Sequence, residues 1–124
     1  MKITYTIFFV LSFISSTQLR AHNPYIDSLK NRLAAKKITS EEKYQLYATL
    51  IEKYRSDQEF STALVYSSRL LKFAQQEKNF FQEAKAYSFT GLIYNNLKEF
   101  DTANKYLDST TVSASKSSNP KSVN

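Results

Sequence analysis

Apolar residues along this chain recur at intervals of three and four. Tyr47, Leu50, Ile51 and Tyr54 fall at i, i+3, i+4 and i+7, one stripe along a helix. Phe60, Ala63, Leu64, Ser67, Leu70, Leu71 and Ala74 form a second stripe. Tyr87, Thr90, Gly91, Tyr94 and Leu97 form a third, and Phe100, Ala103, Leu107 and Ala114 a fourth. This spacing predicts helices over 24–36, 40–56, 59–76, 80–97 and 99–114. Start signals agree with it. Thr39 is followed three residues on by Glu42, a capping box, and Asn79 by Gln82 in the same arrangement. Asn119-Pro120 is a further start signal, because Pro suits the first helical position behind an Asn cap. Connections this short make neighbouring helices antiparallel.

The stripes repeat. Sliding the chain by forty residues aligns 40–79 with 80–119 and brings identical residues together. Among them are Tyr47/Tyr87, Tyr54/Tyr94, Glu59/Glu99, Phe60/Phe100, Thr62/Thr102, Ala63/Ala103 and Tyr66/Tyr106. Small Ala63 and Ala103 allow close helix approach. Large Tyr47, Tyr54, Tyr87, Tyr94, Phe60 and Phe100 are expected to fill the space between layers. Tyr44, just off the main stripe, is the tyrosine expected to lie outside that core.

The run Ala84 to Tyr94, then Asn95-Asn96-Leu97-Lys98-Glu99-Phe100 and Ala103, resembles a tetratricopeptide repeat (TPR). The family's aromatic, small residue, tyrosine, aromatic and alanine fall on Tyr87, Gly91, Tyr94, Phe100 and Ala103. The first block departs at Ile51, which takes the glycine place, and neither block has the proline that usually closes the repeat. The period also exceeds the usual ~34 residues, as in exported bacterial TPR regions that precede sensor kinases or transcription regulators. The resemblance implies an all-α fold of antiparallel helix-turn-helix repeats, stacked as a short right-handed TPR α-solenoid. The expected organisation is a signal peptide over 1–21, an N-terminal capping helix within 22–39, repeats at 40–79 and 80–119, and the start of a further repeat or a frayed tail at 120–124.

Composition narrows this further. One Gly and two Pro argue against a many-stranded β fold, and the lack of Cys excludes a disulfide framework or a thiolate metal site. Met1-Lys2, an apolar run from Ile3 to Ile14 and a polar stretch ending Leu19-Arg20-Ala21 have the order of a secretory signal peptide cut after Ala21. The run is shorter than the ~20 residues of a spanning helix, and no later segment could span a membrane. The protein is therefore expected to be exported, periplasmic or secreted. Net charge is +6 for the full chain. Without residues 1–21 it is +4, from 15 basic and 11 acidic residues scattered almost singly. Nucleic-acid binding calls for a concentrated basic face instead. His22, the sole histidine, has no evident partner, and Glu41-Glu42 suits a first helical turn better than an acid/base pair. The sequence presents no catalytic group, metal site, cofactor site or small-molecule substrate site.

The TPR resemblance implies a partner groove lined by the first helix of each pair. Gln45, Ala48, Glu52 and Arg55, then Lys85, Ser88, Leu92 and Asn95, would project there. The carboxylate clamp of some TPR proteins is absent, since Ala48, Glu52 and Phe89 stand in its places. The expected partner is a protein or peptide. Nothing after helix 99–114 covers its back, so the chain is read as the N-terminal part of a longer sensory or regulatory protein; self-association through that helix, or fraying of the Ser/Thr-rich segment from Ser109, is the other account. A small secreted or periplasmic adaptor is the alternative function, and a nucleic-acid-binding helical repeat the alternative of a different class.

Overall fold

A computed structural model describes residues 23–118. Five helices follow one another: α1 (Pro24–Leu33), α2 (Ser40–Ser56), α3 (Phe60–Gln76), α4 (Phe80–Asn96) and α5 (Phe100–Ser117). Each packs on the next, and α2 also touches α4. Tyr47 early in α2 meets Phe73 late in α3, while Tyr54 late in α2 stacks on Tyr66 early in α3, so the pair is antiparallel. The result is an all-α stack of antiparallel helix pairs, the architecture that the resemblance implied. The proposed signal peptide, His22 and the Asn119-Pro120 start lie outside the described residues, as does the whole of 120–124.

The period has a simple construction. Helices α2, α3 and α4 are each 17 residues long. Three residues join each to the next, so the forty-residue repeat is built from two halves of equal length. The middle residue of every joint is left-handed and none is glycine: Gln58 (φ 60°), Lys78 (52°) and Lys98 (61°). In each joint the third N–H reaches back to a carbonyl five residues earlier: Glu59 to Tyr54 at 2.8 Å, Asn79 to Ala74 and Glu99 to Tyr94 at 2.9 Å. These Schellman ends satisfy carbonyls the helix leaves open, at a left-handed cost of roughly 1–2 kcal/mol per non-glycine residue. A phenylalanine opens the helix after each joint: Phe60, Phe80 and Phe100.

Caps set the starts. The Thr39 hydroxyl accepts the Glu42 N–H at 3.1 Å, and Asn79 Oδ1 accepts the Gln82 N–H at 3.0 Å. The return half of the capping box is not the bond made at either place. The Glu42 carboxylate instead takes the Arg32 guanidinium of α1. The Asn79 N–H is held by Ala74, and Gln82 Oε1 is buried without a hydrogen-bond partner. Asn23 caps α1 ahead of Pro24, accepting from Tyr25 and Ile26. Two ends differ from the expected ones. Helix α1 stops at Leu33, with Lys30 and Arg32 placed against the negative end of its dipole. Helix α5 continues to Ser117, so the segment from Ser109 is helical rather than frayed. Hydroxyls of Ser109, Thr110, Thr111 and Ser118 bond carbonyls one turn back and leave the helical ladder intact.

The core is concentrated in the first repeat and in α4, which packs on it. Leu50, Ile51, Ala63, Leu70, Ala86 and Ile93 are wholly buried, framed by Tyr44, Tyr47, Tyr54, Tyr66 and Phe73. Helix α1 covers the front with Ile26, backed by Leu29 and Leu33. Ser67 and Thr90 sit inside the α3–α4 contact, their hydroxyls 2.6 Å apart and each 3.0 Å from the Ala86 carbonyl. The second repeat copies the stacked tyrosine pair, with Tyr94 and Tyr106 centroids 5.5 Å apart. It does not copy the burial. Phe100, expected to fill an interlayer space, is 57% exposed, and Leu97 and Leu107 are also open, because no described helix covers that side of α5.

Candidate partner-binding groove

Helices α2 and α4 run side by side, and each carries a row spaced three, four and three residues apart. On α2 the row is Gln45, Ala48, Glu52 and Arg55; on α4 it is Lys85, Ser88, Leu92 and Asn95. The structure gives these eight residues different roles. Gln45 donates to the Glu41 carboxylate of its own helix at 2.8 Å. Ala48 and Glu52 line a wide, shallow depression of about 530 Å³, walled by Tyr25 of α1 together with Lys53 and Ser56. Arg55 donates twice to Glu52, at 2.7 and 3.2 Å, and reaches Asn96 Oδ1 on α4 at 3.2 Å. It therefore ties the two rows together at one end. Leu92 and Asn95 are exposed.

Lys85 and Ser88 belong to a narrower recess of about 290 Å³ between α4 and α5. Phe81 and Ala84 complete its α4 wall, and Thr110 and Ala114 face them from α5. The Lys85 ammonium lies 5.7 Å from the Phe81 ring centroid, and that ring stands edge-on to Tyr44 at 6.5 Å. Tyr44 is thus part of the core, 8% exposed, and not the surface tyrosine its off-stripe position suggested. The face of α2 that holds it is covered by the start of α4, a neighbour that helical spacing within α2 does not encode.

Electrostatics in and around the groove come from burial and a few pairs. Burial lifts the Tyr44 phenol above the ordinary tyrosine range, and the Glu41 carboxylate adds to the effect. Burial lifts Tyr47 in the same way, and Tyr87 too, where Glu83 pushes further. The raised phenols keep their protons, in keeping with their packed positions. Lys30 is raised by its hydrogen bond to Tyr54. Among the described residues no group of His, Cys, Asp and Glu could hold a metal ion, and no helix is long and apolar enough to cross a membrane. What the arrangement offers is contact surface: a charged crosslink at one end, an exposed leucine between, and a recess with an aromatic wall and a cation at the other.

Sequence reasoning missed Asn96, Phe81, Ala84 and Thr110. Asn96 stands forty-one residues from Arg55, one step out of the repeat, so the comparison passed over it. The other three were visible as departures from the repeat. Phe81, Ala84 and Thr110 occupy the places of Glu41, Tyr44 and Leu70 in the first block.

Comparison with known proteins gives a family match. Residues 16–122 fit the family model described as the SusR N-terminal TPR domain. No curated protein and no solved structure matches the chain significantly.

Proposed function

The chain belongs to the SusR N-terminal TPR domain family, and on that premise we propose that it is a non-catalytic module that holds a peptide segment of a protein partner in the groove between α2 and α4. TPR domains are protein-interaction modules. The observation that carries the reading for this chain is the pair of rows on α2 and α4, joined through Arg55 and Asn96, with Gln45, Lys85, Leu92 and Asn95 exposed. Helix-lined grooves of this kind bind through apolar anchors in shallow depressions with a polar rim. Ala48 and Leu92 supply the first, with a depression on the α1 side of α2 and a recess on the α5 side of α4 beside them; Gln45, Glu52, Lys85, Ser88 and Asn95 supply the second.

The module works outside the cytoplasm, on the strength of the basic, apolar and polar order of residues 1–21. It forms the N-terminal part of a larger sensory or regulatory protein; the family description, which names an N-terminal domain, supports that placement. A small exported adaptor is the alternative. Fractionation of producing cells with N-terminal sequencing tests export: a mature protein starting near His22 in the exported fraction is expected, and an intact Met1 in the cytosol refutes it.

Groove binding is tested by selecting peptides from a random library on the full chain and mapping them by amide chemical shifts. Selected peptides should shift residues of both rows. Ala48→Arg and Leu92→Glu should each weaken them by about tenfold, the loss of one buried apolar anchor, with the helical spectrum unchanged. Peptides that map to α3 or the back of α5 and ignore both changes would overturn the reading.

A further inference from the structure

The two repeats provide an internal comparison that singles out one place. In the first repeat the seat between α2 and α3 is filled. Tyr44 and Leu70 occupy it, both buried, and the first turn of α4 closes over it by setting Phe81 against Tyr44. One repeat later the same positions hold Ala84 and Thr110, so two large side chains have become small ones. What remains is the recess of about 290 Å³ between α4 and α5. Two further exchanges give it character. Gln45 becomes Lys85, and Glu41 becomes Phe81, whose ring forms a wall and is 54% exposed.

We propose that this recess receives an aromatic side chain of the bound peptide, with a neighbouring carboxylate of that peptide on Lys85. The inference rests on the groove reading above and names the chemistry of the partner at one end of it. Three observations point to that occupant. The recess falls just under the ~300 Å³ at which small-molecule sites begin, so its size suits one large side chain. The filled seat of the first repeat takes an aromatic ring, Phe81, edge-on to another at 6.5 Å, and the Phe81 wall offers the same contact to an incoming ring. Among the described lining residues Lys85 is the single charge and no acid faces it, so the rim is complementary to a carboxylate.

The test uses the full chain, labelled for amide shifts, with 3-phenylpropionate as the probe and uncharged 3-phenylpropanol as its comparison. Saturable shifts at Ala84, Lys85, Ser88, Thr110 and Ala114 are expected, with an affinity roughly millimolar for so few atoms. The carboxylate should bind about two- to fivefold tighter than the alcohol, the range of one exposed charge pair, and Lys85→Gln should erase that preference while leaving the alcohol unaffected. Ala84→Tyr with Thr110→Leu restores the side chains of the first repeat and should abolish binding of both. Scattered or unsaturable shifts, or a Lys85→Gln protein with the preference intact, overturn the proposal even if the filled variant does not fold. Library peptides separate this failure from that of the groove. Peptides that map to both rows, lack an aromatic–acid pair and bind the filled variant unchanged sink the recess and leave the groove. Recess binding of the probe with no groove-binding peptide does the reverse.

Discussion

Gly91→Ile copies into the second repeat the residue that the first carries at the equivalent place, Ile51. A Cβ at Gly91 would lie 3.0 Å from Leu107 Cδ2, 3.1 Å from its Cγ and 3.3 Å from the Ala103 carbonyl oxygen. The side chain facing that glycine is Leu107, and forty residues earlier the position of Leu107 holds Ser67, fully buried. Volume is therefore exchanged across the helix pair: large on α2 with small on α3, small on α4 with large on α5. The added isoleucine gains up to about 0.5 kcal/mol in helix propensity over glycine. Overpacking against a backbone oxygen that cannot move costs about 1–3 kcal/mol. Leu107, 39% exposed, relieves part of this by turning outward. The net loss is about 1–2 kcal/mol, a fall in melting temperature of roughly 5–15 °C for a domain of this size. Leu107→Ser added to Gly91→Ile recreates the pairing of the first repeat. The double variant should lose less than the sum of the two single changes, by about 1 kcal/mol. Thermal and urea denaturation followed by far-ultraviolet circular dichroism measure all four proteins. Strict additivity, or a Gly91→Ile protein as stable as the parent, would refute the volume exchange.

Three further outcomes follow from the same geometry. Lys78→Gly relieves a left-handed residue and should raise the urea midpoint by about 1 kcal/mol of stability, whereas Lys78→Ala should not. Ser67→Ala and Thr90→Val each remove one hydroxyl from the buried contact at Ala86; each should cost about 1 kcal/mol, with the double variant costing less than the sum. Tyr44, Tyr47 and Tyr87 keep their protons in the folded state when the unfolded chain begins to release them near pH ~10. Lys30 acts in the same sense. Stability is accordingly whole below that pH and falls as pH rises through the folded values, and melting curves at increasing alkaline pH should decline there. A rise in melting temperature across that window would contradict the burial of these phenols.

The positions of the helices could be read directly from the chain. Spacing by three and four, and caps at Thr39 and Asn79, act within one turn, so they need no knowledge of neighbours. The core of the first repeat was readable for the same reason, since Tyr47, Leu50, Ile51 and Tyr54 lie on one stripe and are all buried. The half-length period was present as Phe60, Phe80 and Phe100 but hidden, because left-handed joints usually announce themselves by glycine and these use Gln58, Lys78 and Lys98.

What depends on which helix stands opposite was not readable in that way. The same aromatic opens α3 and α5, yet Phe60 is half-buried and Phe100 exposed, because among the described helices α3 packs between α2 and α4 while α5 packs on α4 alone. Tyr44 is core because α4 closes over it. Of the eight groove residues foreseen, Arg55 is bound into a crosslink to Asn96, while Lys85 and Ser88 open onto a recess formed with α5. The sequence by itself determined the local order of this protein: where helices begin and which face of each is apolar. The tertiary structure alone decided which of those faces meet, where small residues on adjoining helices leave a space, and which charges are already paired, since each of these is set by side chains far apart in the chain.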